Sequence, residues 1–121
     1  MSYEGYEKLL KEKRVWYKTL KLCYCPALKT DVIFNSKGFH HLIYDGSCKA
    51  RTNEERIRRL GLLFFVVMVI SNAEHISSHS LEGDTEYWVF KDRICEDMTN
   101  IVVVLRKIGS GNIHFYSVWD E

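Results

Sequence analysis

The stretch from Ile101 to Trp119, IVVVLRKIGSGNIHFYSVW, limits the possible folds of this chain more than any other. Two runs rich in β-branched and aromatic residues flank Gly109, Ser110, Gly111 and Asn112, residue types that make tight turns between strands. The stretch predicts a β-hairpin. Polar groups are set into its apolar arms: Arg106 and Lys107 near the end of the first, and His114, Tyr116 and Ser117 in the second. With Ile108 opposite Ile113, Arg106 faces Phe115 and Lys107 faces His114. His114, Tyr116 and Lys107 then share one side of the sheet, and Arg106 and Ser117 the other, because successive strand residues alternate sides. A single bulge at Gly109 or Gly111 brings Arg106 to the side of His114.

Upstream, Tyr3 to Leu20 carries Tyr6, Leu9, Leu10, Lys13, Trp16, Tyr17 and Leu20 near a 3.6-residue period, which predicts a helix packed by one stripe. Leu22–Pro26 and Asp31–Phe34 are short β-like runs, expected as a small hairpin or an extended segment. Asn35 or Ser36 offers an N-cap for a helix over Lys37–Tyr44. In that helix Phe39, Leu42 and Ile43 fall on one face, and Lys37, His40, His41 and Tyr44 on the other. Thr52 with Glu55 forms a capping box, predicting a helix from Asn53 to about Leu60. Gly61 separates it from LLFFVVMVISNA, expected as a second, buried helix, although its β-branched residues also permit a strand. His75–Ser80, Tyr87–Lys91, Ile101–Ile108 and Ile113–Trp119 are strand-like, and the polar stretch Asp92–Met98 separates the second from the third. Helices followed by an antiparallel meander make an α+β domain.

A chain of 121 residues with 46% hydrophobic residues and one proline is expected to form one ordered domain. Its net charge of +1 means that any binding of nucleic acid rests on a local basic patch. The N-terminal MSYEGYEKLLKEKR is charged and has no apolar signal core. Cys23, Cys25, Cys48 and Cys95 are therefore expected as free thiols in a cytoplasmic protein, and no second pair at metal-ligand spacing accompanies Cys23 and Cys25. The apolar run Leu62–Ile70 falls well short of a membrane span of about 20 residues.

Cleaving RNA without a metal takes a base for the 2′-hydroxyl proton, an acid for the leaving 5′-oxygen, and cations for charge on the phosphorane. Histidine titrates near neutrality and serves either proton task, and arginine grips phosphate with a planar fork of donors. His40 or His41, with Arg106 and His114, supply such a set if the Lys37–Tyr44 helix packs across the sheet. Each piece also has a plainer explanation: a solvated helix face for the histidine pair and for Arg56, Arg58 and Arg59, an edge-protecting strand end for Arg106 and Lys107, a half-buried ring for His114, and core packing for Tyr87, Trp88 and Trp119.

The order of motifs resembles the phage-type nuclease families of the barnase, EndoU, colicin and RelE-like (BECR) superfold. The likeness is carried by Cys25-Pro26, a KGF-x-HL helix (Lys37, Gly38, Phe39, His41, Leu42), an IRRL helix (Ile57 to Leu60), the Tyr87-Trp88 strand and a closing R-x-IG-x-G-x-x-HFYS hairpin from Arg106 to Ser117. It covers residues 22–119, with 1–21 as an N-terminal helix of the same single domain. It implies N-terminal helices packed on a C-terminal four-stranded antiparallel sheet. It further implies a metal-independent endoribonuclease without cofactor, a toxin of a mobile element or toxin–antitoxin system, and with it an antitoxin or immunity protein. By position it favours His41 over His40 and adds Arg106, His114 and Ser117. His41 is then the general base and His114 the general acid, while Arg106 with Lys107 stabilises the phosphorane. Ser117 and Tyr116 position the phosphate, and Lys37, His40 and Arg58 bind substrate. The alternative is a catalytically inactive module of the same fold that binds RNA or another protein.

Overall fold

The computed structural model describes residues 3–93 and 100–121, so Cys95 and most of the Asp92–Met98 stretch lie outside the described residues. Helix α1 runs Tyr3–Thr19, followed by strands β1 (Leu22–Cys25) and β2 (Thr30–Ile33) and helices α2 (Ser36–Ile43) and α3 (Asn53–Asn72). Strands β3 (Ser78–Glu82), β4 (Thr85–Asp92), β5 (Ile101–Ile108) and β6 (His114–Asp120) complete the chain. The six strands form one mixed sheet in the order β1-β2-β6-β5-β4-β3. The architecture is α+β. The expected meander of four antiparallel strands is the β3-to-β6 part of it. The sheet exceeds four strands because the β1–β2 hairpin joins β6 through a parallel bridge at Ile33 and His114.

The core follows strand alternation. Trp88 and Phe90 of β4, Ile101, Val103 and Leu105 of β5, and Phe115 and Val118 of β6 are buried in one cluster with the inner side of α3. Helix α3 is continuous through Gly61, where two helices were expected. A glycine in a helix interior costs about 1 kcal/mol. Continuity lets Leu60, Leu62, Leu63, Val66, Val69 and Ile70 be buried from one rigid element, each contributing roughly 1.5–3 kcal/mol. The burial term wins. Thr52 Oγ1 accepts from the Glu55 backbone N–H at 3.2 Å, so the predicted start holds, while the Glu55 carboxylate turns to Arg59. Among the described residues no helix is long and apolar enough to cross a membrane.

Two local features place the site. Strand β2 pairs with β6 at one position, and α2 then packs along β6. Gly38 permits this packing, since a Cβ there would stand 2.5 Å from the Phe115 carbonyl oxygen. The second feature is a β-bulge: Val104 faces Ser117 and Leu105 faces Phe115, leaving Tyr116 as the extra residue. The expected register holds for Ile101–Val104 and shifts by one beyond it, so Arg106 faces His114. The bulge sits inside β6 instead of at Gly109 or Gly111.

A candidate anion-binding cleft between α2 and β6

Asn35 caps α2, its Oδ1 accepting from the Lys37 backbone N–H at 3.1 Å. Phe39, Leu42 and Ile43 face the core as expected, but the two histidines part company. His40 is exposed and stacks on Tyr44, with ring centroids 4.5 Å apart. His41 is half-buried against β6: its Nδ1 is hydrogen-bonded to Ser117 Oγ at 3.0 Å, and its ring lies 4.2 Å from that of Tyr116.

Two arginines brace this histidine. The loop after α2 is folded by Asp45, whose Oδ1 accepts from the backbone N–H groups of Ser47 (2.8 Å) and Lys49 (3.0 Å), and it returns Arg51 beneath the helix end. Arg51 Nε donates to the His41 carbonyl at 3.0 Å and Arg56 Nε to that of Ile43 at 3.2 Å, so two guanidiniums satisfy carbonyls at the negative end of α2. Arg51 Nη2 lies 3.5 Å from His41 Nδ1. Arg59 of α3 donates through Nη1 to Ser117 Oγ at 3.0 Å and to the Val118 carbonyl at 3.3 Å.

On the neighbouring strand, Arg106 Nε donates to His114 Nε2 at 3.1 Å, and its guanidinium carbon lies 4.0 Å over the Tyr116 ring. Tyr116 thus contacts both Arg106 and His41. The Nη groups of Arg106 have no hydrogen-bond partner among the described residues and remain for a ligand. With Lys37 and His40, His41, Arg106 and Tyr116 line a cleft of about 420 Å³.

The electrostatics follow from this crowding. Burial, then the charges of Arg51, Arg59 and Arg106, lower the His41 pKa from 6.5 to about 4, with Asp45 pulling weakly the other way. Burial, then Arg106 and Lys37, lower that of His114, while the Asn112 backbone acts upward. Shifted down from 6.5, both imidazoles are mainly neutral at pH 7, and they stand among Arg51, Arg59, Arg106 and Lys37, of which Arg59 is paired with Glu55 at 3.4 Å. Such a cleft favours an anion.

His41, Arg106, Tyr116 and Ser117 therefore meet as the sequence suggested, with Lys37 and His40 at the lip. His114 adjoins them, but it is buried and its Nε2 already accepts from Arg106, so it supports the guanidinium and is poorly placed to hand over a proton. Lys107 lies on the opposite side of β5 from Arg106, across from Glu86. Arg58 is exposed and ion-paired with Asp120 at 3.0 Å beside a separate hollow. Arg51 was not singled out by the sequence, and Arg59 was read with Arg56 and Arg58 as a solvated helix face, whereas its side chain is only 11% exposed and turned onto β6. Arg59 carried a signal, for it stands three, four and seven residues before the buried Leu62, Leu63 and Val66 and so interrupts the inward stripe. No family model, curated protein or solved structure matches the chain.

Proposed function

We propose that the α2–β6 cleft binds a phosphodiester of RNA and cleaves it by attack of the adjacent 2′-hydroxyl, without a metal. The observation that carries this reading is the contact of Tyr116 with both His41 and Arg106, which brings an imidazole and a guanidinium with open donors to one wall. Arg106 grips the phosphate and takes up charge as the phosphorane forms, with Arg51 and Arg59 adding to the field. His41 takes the 2′-hydroxyl proton at Nε2. To present a bare Nε2, its Nδ1–H donates to Ser117 Oγ, which also accepts from Arg59, and Arg51 Nη2, which can only donate, gives up its 3.5 Å contact with Nδ1. Tyr116 protonates the departing 5′-oxygen and is reprotonated through solvent as His41 releases the proton it took. His114 and Ser117 are positioning residues. The products are a 2′,3′-cyclic phosphate and a 5′-hydroxyl, and the chemistry agrees with the resemblance to BECR nucleases. Uncontrolled RNA cleavage harms the cell that makes the enzyme, so the proposal extends to a neutralising antitoxin or immunity protein.

One observation favours a second reading. Arg51 Nη2, which can only donate, lies 3.5 Å from His41 Nδ1; with Nδ1 accepting from it and from the Ser117 O–H, neutral His41 carries its proton on Nε2 and offers the ligand a donor, which suits binding without cleavage. Labelled single-stranded RNA incubated with the protein in EDTA separates the two. Cleavage to cyclic-phosphate ends, reduced by about 10²-fold or more in His41→Ala and in Arg106→Ala, supports the enzyme. Retention of intact RNA supports the binding module, and neither cutting nor retention overturns both.

A further inference from the structure

Beyond the cleft lies a larger hollow of about 630 Å³ beneath α1, a size suited to a ligand larger than one phosphate. Its walls are aromatic, with Tyr6, Phe34 and Phe39 buried and Tyr44 half-buried. Its charged lining is one-sided: Arg14, Lys18, Lys21 and Arg56 against the single carboxylate of Glu7, in a chain whose charges nearly balance. Ser36 and His40 line both hollows, so the two adjoin across that lip.

Resting on the RNA reading of the cleft, we infer that the hollow beneath α1 is a subsite for single-stranded RNA flanking the bound phosphodiester. A strand leaving the cleft past His40 meets the outer face of the His40–Tyr44 stack, where a base has an aromatic ring to lie on. The next phosphates come within reach of Lys18 and Lys21, both exposed, and of Arg14, whose guanidinium lies 5.4 Å over the Phe39 ring. Aromatic faces with cations tracking a backbone bind any sequence, since every base presents a π-face. The subsite therefore extends the grip on single strands without selecting bases.

The test compares an octanucleotide with the dinucleotide uridylyl-adenosine, whose single phosphate is held in the cleft and leaves none for Lys18 and Lys21. Replacing the exposed pair in Lys18→Ala/Lys21→Ala leaves the catalytic groups untouched. The expected result is a KM for the octanucleotide raised about tenfold, with the slope of log affinity on log salt shallower by about 1.4, the loss of two phosphate contacts on a single strand. Dinucleotide cleavage stays unchanged. If octanucleotide cleavage is also unchanged, or both substrates lose equally, the subsite is overturned while the cleavage reading stands. If the parent protein cleaves neither substrate, the cleavage reading falls and the subsite falls with it.

Discussion

At the scale of single residues, His41 is where the burial and the positive charge of the site meet. Its pKa of about 4 lies below the ordinary 6.5, because burial and three arginines oppose its charged form. Between those pH values an unfolded chain takes up a proton that the folded chain refuses, so stability is lost as pH falls from about 6.5 toward 4. His114 is shifted in the same direction and adds to the loss. Denaturant midpoints at neutral pH and near pH 4.5 measure it, and His41→Gln should shrink the difference, because glutamine does not titrate. Ser117→Ala removes the hydroxyl shared by His41 and Arg59 and leaves buried polar atoms short of a partner, which costs about 1–3 kcal/mol. A thermal melt would record that cost, and cleavage should fall further than the melt alone explains because the imidazole loses its orientation. The sequence brought forward His41, Arg106, Tyr116 and Ser117, since polar groups in apolar strands and on a short helix stand out. Arg51 gave no such signal. Its place depends on the fold of the Asp45 loop, which local pattern does not encode.

Among the elements, α2 and β6 act as a unit through Gly38 and the bulge at Tyr116. Gly38→Ala forces a methyl group against the Phe115 backbone and ring and should cost about 1–3 kcal/mol, seen as a lower melting temperature, with cleavage reduced as α2 lifts His41 from Ser117. Gly61→Ala provides the contrast. Gly61 lies inside α3 with nothing within 4 Å of the added carbon, so the change should stabilise the protein by about 0.5–1 kcal/mol and leave the cleft unaltered. The bounds of β5 were legible because its β-branched run stops at Gly109. The merger of two expected helices into α3 was not, because a glycine reads locally as a break while the burial that overrides it depends on the rest of the fold. The position of the bulge was hidden for a similar reason. A period of two locates strands, but the residue left unpaired depends on what packs beside them, here α2 along the open side of β6.

For the whole molecule, the α+β class was legible from the order of helix-like and strand-like segments. The joining of the β1–β2 hairpin to β6 was not, because one parallel bridge at Ile33 leaves no pattern in so short a run. That joining is what sets α2 beside β6 and closes the cleft. Its consequence is an imidazole held neutral by burial and by the guanidiniums around it. The most direct measurement is an NMR pH titration of the His41 ring, alone and saturated with a 3′-nucleotide monophosphate. The expected result is a midpoint near pH 4 in the free protein, moving up toward neutrality once the phosphate offsets the charges of Arg51, Arg59 and Arg106. A ring that titrates near 6.5 and does not respond to the nucleotide would contradict the cleft as an anion site and the ribonuclease reading built on it.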